Sequence, residues 1–272
     1  MTNWNDMEIR ELKTAEELKG VVELQRIVWG AADIDILAPL SLRAAIEAGN
    51  LLLGAFDGGL MVGFMYGFLG FLHGQVELHS DMTGLRAEYR DRGIGLRLKL
   101  FQRDWALVRG IKLVTWTFDP LRSRNAYFNF HKLGAISDSY RVNFYGEDST
   151  SFLHQNSTDR LWVSWHLESD RVCERLAGGR PPPFAAPARV SIGPCDEPLL
   201  HTVDPDSKQV TIEIPLELDD LTVGLAHRWR EFTRQAFMEL IAAGFFVTDA
   251  VQGRYLLRRD WKPVDRFGGF QE

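Results

Sequence analysis

The sequence is poor in cysteine and has no long apolar run. Cys173 and Cys195 are the two cysteines among 272 residues, and neither has a metal-ligating neighbour. This spacing favours reduced thiols over a disulfide framework or a cysteine–metal site, as is usual in the cytoplasm. The most apolar stretch, residues 59–72, contains four glycines and is too short to cross a bilayer as a helix. We expect a buried strand there.

The chain also lacks an excess of positively charged residues. The chain has 31 lysines and arginines against 37 aspartates and glutamates, for a net charge of −6. This balance disfavours bulk electrostatic binding to nucleic acid. The first residues, MTNWNDMEIRELK, are polar and charged, unlike a signal peptide. With 45% hydrophobic and 25% charged residues, the composition is that of an ordinary globular protein. We therefore expect a cytoplasmic protein that binds neither nucleic acid nor a membrane, without a metal.

The usual nucleotide-binding motifs are incomplete. No G-x-x-x-x-G-K-[ST] run follows a predicted strand, and Leu98 stands where a dinucleotide fingerprint has its third glycine. What is present is an alternating strand from Val76, a tight turn over residues 90–95 and a long amphipathic helix. The first amides of a helix lack partners within it, and Gly93 and Gly95 let a phosphate approach the backbone. The turn therefore predicts an anion site.

The hydrophobic periodicity and the turn residues between periodic segments predict an element order of β-α-α-β-β-β-α-β-α-β-β for residues 7–168. Thr14 and Glu17 form a capping-box pattern at the start of the first helix, and Gly134 closes a helix that begins at Ser123. A Gly-Gly-Arg-Pro-Pro-Pro linker follows. Beyond the linker we predict strands at 188–192, 199–203, 209–214 and 245–251, and a helix at 223–243.

The turn matches the R/Q-x-x-G-x-G/A pattern of the GNAT acyltransferases. The run N-A-x(6)-L-G from Asn125, and H-S-x-M from His79, also resemble this family, in particular a bacterial group with a C-terminal extension and no assigned substrate. The resemblance implies an α/β fold, with a mixed sheet whose splayed central strand is flanked by helices, and a small α+β extension. It implies an acyltransferase domain at 1–168, a linker at 169–187 and the extension at 188–272.

By the same resemblance, the chain would bind acyl-coenzyme A, most simply acetyl-coenzyme A, as donor. The backbone at Leu85 would pair with the pantetheine arm and polarise the thioester, and Gly84 would supply the bulge that splays the strand. Asn125 would contact the pantetheine, although an ordinary place in the first helical turn is an open alternative. The pyrophosphate would lie on the turn residues, Arg90, Asp91, Arg92, Gly93, Ile94 and Gly95.

Strict alternation puts Glu77, His79 and Asp81 on one face of the central strand, opposite Leu78, Ser80 and Met82. Related enzymes have a general base six residues before the position of Leu85, which here is His79. Its ordinary pKa near 6.5 suits that role, and Glu77 and Asp81 are the alternatives.

The family's general acid is a tyrosine four residues before the helix-ending glycine, but this chain has Phe130 there. Tyr127 or Tyr145 are substitutes. Alternatively no acid is needed, because a thiolate with a pKa near 8.5 is a tolerable leaving group.

Thr117 and Asp119 at a strand end, with Tyr145 in a polar loop, are the candidate acceptor contacts. The sequence thus predicts acyl transfer to a small-molecule amine or a peptide. Direct attack in a ternary complex is favoured, because neither cysteine lies in the predicted site. The alternative is a degenerate domain that binds acyl-coenzyme A or a protein partner without turnover. GNAT domains are often dimers, which leaves a homodimer open.

Overall fold

A computed structural model of the chain describes residues 7–72, 74–146 and 157–260. These residues divide into two compact units, 7–115 and 116–146 with 157–260. His73, in the turn predicted before the central strand, lies outside the described residues. The predicted domain boundaries at residues 168 and 188 stay predictions.

The first unit is a helix-flanked sheet in the order β1-β2-β3-β4-β5. Its pairs are antiparallel up to β4, and β4 runs parallel to β5. The last three residues of β5 belong to the second unit. The elements are β1 (Glu8–Glu11), α1 (Ala15–Trp29), α2 (Pro39–Glu47), β2 (Leu51–Asp57), β3 (Leu60–Leu72), β4 (Gln75–Leu85), α3 (Ile94–Val108) and β5 (Leu113–Phe118).

Helix α1 begins and ends where the sequence predicts. The Thr14 side chain accepts from the Glu17 amide, the Glu17 carboxylate accepts from the Thr14 amide at 2.8 Å, and Gly30 ends the helix in the left-handed region. Apolar residues of α1 and α2 pack on β2 and β3, where Phe64 and Tyr66 are buried. Because neighbouring strand residues face opposite sides, Gly67 faces the other layer, which contains Gln102 of α3.

Strand β4 contains a bulge. Tyr66 pairs with Met82, whereas Phe68 pairs with His79, so three steps along β4 match two along β3. His79 and Met82 therefore lie on the same side of the sheet, and the prediction that they lie on opposite sides was wrong. Asp81 falls inside the bulge. Pairing is regular at Gly84, so the bulge predicted there was also wrong in position.

The second edge of β4 is paired over a short length. Its ladder with β5 joins Leu78 to Val114 and His79 to Thr115 and ends there. Beyond that point the Arg86 amide donates to the Val62 carbonyl, which makes Gly63–Leu85 a non-hydrogen-bonded pair of the β3–β4 ladder. The amide and carbonyl of Leu85 therefore point away from β3, toward this open edge.

The second unit carries strands in the order β7-β6-β11-β12-β10-β8-β9, together with helices. Within this order β8 and β10 are parallel, and the other pairs described for this unit are antiparallel. The elements are α4 (Ser123–Ala126) with a π-helix (Tyr127–Lys132), β6 (Ile136–Arg141), β7 (Arg160–His166), α5 (Asp170–Leu176), β8 (Ala188–Ile192), β9 (Pro198–Leu200), β10 (Gln209–Glu213), α6 (Val223–Ala242), β11 (Phe246–Val251) and β12 (Arg254–Arg258).

The mixed α/β class and the predicted element order through β7 are confirmed. One α-helix and one strand of the described residues were missed. Helix α5 lies within the predicted linker, and β12 follows a tight turn at Gln252 and Gly253, both with positive φ. The helix predicted at 123–133 is α-helical for one turn and then widens to a π-helix. Over the described residues, no helix is both long and apolar enough to span a membrane.

Gly67 lies in close contact with the backbone of the bulge. A Cβ there would lie 3.0 Å from the His79 carbonyl oxygen and 3.2 Å from Leu78 Cδ1. We expect Gly67→Ala to lower the free energy of unfolding by about 1–3 kcal/mol, because a buried backbone atom must move. Gly59→Ala is the matched control, since a Cβ there meets nothing within 4 Å. Equal stability of the two variants in urea titrations would contradict this account.

Candidate functional site

The turn before α3 presents backbone amides at the start of a long helix. Gly93 precedes α3 with φ 78° and makes no side-chain cap, so the first amides of α3 have no partner from that residue. Ile94 is buried and fixes the helix start, whereas Arg90, Asp91 and Arg92 are exposed. The Arg90 Nε donates to the Leu85 carbonyl at 3.3 Å, which ties the turn to the end of β4. The positive end of the helix dipole and two arginines together favour an anion here.

The two glycines of the turn differ. Gly93 occupies the left-handed region, which glycine adopts without strain. Gly95 lies inside the helix with an ordinary φ, and a Cβ there would meet Leu85 Cδ1 at 4.0 Å and nothing closer. The protein itself therefore does not need a glycine at 95. Its absent side chain leaves open space beside the helix N-terminus, which fits a phosphate group lying against the backbone.

His79 is buried in a polar corner of β4. Its side chain is 7% exposed, Nδ1 lies 2.8 Å from Thr115 Oγ1, and its ring lies 5.1 Å from that of Phe68. Burial, and secondarily the positive charge of Lys99, lower the pKa of His79 from 6.5 to about 4. The imidazole is therefore neutral near pH 7 and is a weaker base than in water.

The two carboxylates near His79 differ in access. Glu77 is buried over Gly70, whose Cβ position lies 3.0 Å from Glu77 Oε1. Asp81 is half-buried in the bulge. Burial raises the pKa of Asp81 above its ordinary value, and the Asp81 charge contributes to a raised pKa of Tyr66. Asp81 is thus the more accessible of the two carboxylates, and its pKa moves toward neutrality.

A buried lysine lies beneath the bulge, and sequence reasoning missed it. Lys99 of α3 is 5% exposed, and its ammonium donates to Ser80 Oγ at 2.9 Å and to Gln102 Oε1 at 3.1 Å. Burial lowers the pKa of Lys99 from 10.5 to about 7. The amphipathic pattern of α3 does not predict that Lys99 is buried, because a long polar side chain at such a position usually reaches solvent.

Other predicted residues belong to the second unit. Asn125 is exposed in the short helix α4. The Tyr127 ring stacks on His131 at 4.9 Å, and Lys132 Nζ lies 5.6 Å from its centre. Phe130, at the position where the GNAT pattern has a tyrosine, is fully buried between Phe118 and Tyr255, at 5.8 and 5.9 Å between ring centres. The Phe130 position is therefore a packing position in this chain.

Two of the three predicted acceptor residues meet directly. The Thr117 hydroxyl lies 3.1 Å from the Tyr145 hydroxyl. Asp119 is instead held by Arg230 of α6, with Nη1 2.8 Å from Oδ1 and Nη2 2.9 Å from Oδ2. It also accepts from the Leu121 amide at 2.9 Å. The Asp119 charge is therefore neutralised by a two-point ion pair within the unit.

A second pair of the same kind fixes the loop that carries Tyr145. Asp159 is fully buried and accepts from Arg234 Nε at 2.7 Å and Nη2 at 3.0 Å. It also accepts from the Tyr140 hydroxyl at 2.7 Å and the Asn143 amide at 3.0 Å. Burial alone would raise the pKa of Asp159, but these hydrogen bonds lower it below its usual value. Helix α6 thus anchors both carboxylates.

Two cavities in the second unit measure about 600 and 640 Å³. His131 lines the first, where its Nδ1 lies 3.0 Å from Asp249, which Arg175 also contacts at 2.9 Å. None of the sequence-predicted site residues lines either cavity.

No protein-family model and no curated protein matches this sequence. The chain is similar to solved structures of acetyltransferases. One is the ribosomal-protein-S18-alanine N-acetyltransferase of Escherichia coli, at 16% identity over 60% of this chain and 95% of the other, with a TM-score of 0.44. Another is aminoglycoside 6'-acetyltransferase type Ii, at 17% identity over 60% and 98%, with a TM-score of 0.46.

A third is the PaiA N-acetyltransferase of Thermoplasma acidophilum in complex with coenzyme A, at 18% identity over 59% of this chain and 99% of the other, with a TM-score of 0.41. TM-scores below 0.5 decide neither the activity nor the substrate of this chain, which are inferred below from its own residues.

The lowered pKa of His79 predicts a pH-dependent stability. Between pH about 4 and 6.5 the unfolded chain binds a proton at this residue that the folded chain does not. The free energy of unfolding therefore falls as pH is lowered through this window, by up to about 3 kcal/mol from this residue. We expect the free energy of unfolding of His79→Gln, measured by urea titration, to change less with pH than that of wild type. His227→Gln, at an exposed position, is the control and should keep the wild-type slope.

Proposed function

We propose that this chain is an acyl-coenzyme A-dependent N-acyltransferase of the GNAT type, with acetyl as the simplest acyl group. The observation that carries the proposal is the first unit's combination of an open strand edge and an open helix N-terminus. The Leu85 amide points to that edge, and Gly95 leaves space beside the first amides of α3. These are the two features that a pantetheine amide and a pyrophosphate need.

The residues that would hold the donor have separable tasks. The amides of residues 93–95 and the charges of Arg90 and Arg92 would bind the pyrophosphate. The backbone of Leu85 would pair with the pantetheine arm, and Asn125 is a further proposed contact. When bound, the thioester supplies an activated acyl group. The Leu85 amide is the proposed donor to its carbonyl oxygen, where negative charge develops during attack.

Transfer requires a neutral amine and a base to take its proton. The new C–N bond forms as the C–S bond breaks, the amine proton goes to the base, and the thiolate leaves without a dedicated acid or takes a proton from Tyr127. Among the β4 residues we propose Asp81 as this base. Its half-burial and raised pKa support the role, whereas the lowered pKa of His79 makes the imidazole a weak proton acceptor. Glu77 is buried and less accessible than Asp81.

The donor site is tested by adding one methyl group. Gly95→Ala strains nothing in the protein and replaces glycine in a first helical turn, so we expect unchanged or slightly higher thermal stability. It fills the space proposed for the phosphate, so coenzyme A affinity should fall at least tenfold by calorimetry. Gly224→Ala is the matched control, because Gly224 is likewise the second residue of a helix with open space around it. Unchanged affinity in Gly95→Ala would refute the proposed phosphate position.

The base is tested by comparing two variants. We expect Asp81→Asn to lower kcat at least a hundredfold with little change in coenzyme A affinity, and His79→Gln to lower kcat less than tenfold. The measurement is thiol release from acetyl-coenzyme A with a panel of amines. A larger loss in His79→Gln would move the role to His79, and equal small losses would exclude both.

A second candidate function is binding of acyl-coenzyme A without turnover. The burial of Phe130 at the position of the family's tyrosine favours it, because that position has no polar group to offer. Both candidates predict stabilisation of the folded chain by acetyl-coenzyme A. Thiol release that depends on an added amine occurs only in the enzyme, so its complete absence across the panel would favour the second candidate.

A further inference from the structure

Arg160 is a buried cation that forms no ion pair with any carboxylate in the part of the chain that the structure describes. The residue is 6% exposed on β7. Its Nη1 donates to the Asp159 carbonyl at 2.8 Å, and its guanidinium carbon lies 5.1 Å from the centre of the Tyr145 ring. Within residues 7–72, 74–146 and 157–260, no ion pair and no further hydrogen bond of this side chain is present. Burial lowers the pKa of Arg160, which reflects the cost of keeping this charge out of water.

The neighbouring acidic groups are already paired. Asp119 is held at two points by Arg230, and Asp159 at two points by Arg234. These five side chains carry two negative and three positive charges. The surplus is one positive charge, and Arg160 is the member of the cluster that lacks an anionic partner.

The side of the Arg160 guanidinium that carries Nε and Nη2 has the geometry to bind a carboxylate. With Nη1 used on the Asp159 carbonyl, Nε and Nη2 form the side of the guanidinium that binds a carboxylate through two parallel hydrogen bonds. Tyr145, which covers the guanidinium, is 44% exposed and touches Thr117 through its hydroxyl. The cation therefore lies beside two of the residues predicted to contact the acceptor.

We propose that Arg160 is a specificity-determining residue that binds the carboxylate of the acceptor, so that the acyl acceptor is an amine that also carries a carboxylate, such as a free amino acid. This inference rests on the proposed acyltransferase function. It gives the charged contact with the acceptor to Arg160 and not to the predicted Asp119, because Arg230 already pairs with the Asp119 carboxylate.

The experiment compares free amino acids with their C-terminal amides, which keep the amine and side chain but lack the negative charge. Thiol release from acetyl-coenzyme A is measured for wild type, Arg160→Gln, Arg160→Lys and Arg141→Gln. Arg141 is the exposed cross-strand partner of Arg160 and serves as the control. Arg160→Lys keeps the buried charge without the two-point geometry, which covers the case in which Arg160→Gln fails to fold. Thermal stabilisation by each amino acid is recorded in parallel.

We expect wild type and Arg141→Gln to prefer at least one amino acid over its amide by tenfold or more in kcat/KM, and Arg160→Gln to lose that preference through a higher KM. Arg160→Lys should retain part of it. Amine turnover without any such preference would overturn this inference and leave the acyltransferase proposal standing. Without any turnover, amino-acid stabilisation that is lost in Arg160→Gln and weakened in Arg160→Lys would support the site, and equal stabilisation of all four proteins would overturn it.

Discussion

The pairing of β4 is the constraint on which the first unit depends. One edge of the strand is paired with β3 along its length, and the other is paired with β5 at two positions. The bulge inside β4 opposes Gly67, where a Cβ would crowd the His79 carbonyl oxygen at 3.0 Å. Beyond the bulge the backbone of Leu85 faces the open edge, and Arg90 ties the following turn to its carbonyl. A strand edge inside a sheet normally has no free amides. Here the chain exposes some, next to a helix N-terminus.

Buried charge is organised differently in the two units. In the second unit, Asp119 and Asp159 each receive a two-point ion pair from α6, which compensates both negative charges. In the first unit, Lys99 donates hydrogen bonds to the uncharged side chains of Ser80 and Gln102, and burial lowers its pKa. Helix α6 is therefore integral to the second unit, because its arginines supply the counter-charges for carboxylates that precede them in sequence by 111 and 75 residues.

Much of the fold could be predicted because its signals are local. The capping box at Thr14, the glycine turn before α3 and the order of elements all follow from short patterns. The bulge could not be predicted. His79, Ser80 and Asp81 are all polar, so the pattern of polar and apolar residues does not reveal that β4 has one extra residue there. The pairing of Asp119 with Arg230 left no trace in spacing, since it joins elements distant in sequence. From the sequence alone, a charged residue at a strand end such as Asp119 is interpreted as a ligand contact. In the structure its partner is Arg230 of α6.

The same burial has opposite effects on the two candidate bases of β4. Removing a group from water penalises its charged form, so it lowers the pKa of an imidazole and raises that of a carboxylate. For His79 this moves the pKa away from neutrality, and the nearby ammonium of Lys99 adds to the effect. For Asp81 it moves the pKa toward neutrality. The sequence alone favours histidine, because its pKa in water suits proton transfer at pH 7. In the buried polar corner the two pKa values move in opposite directions, and this difference is what supports Asp81 over His79 as the proposed base.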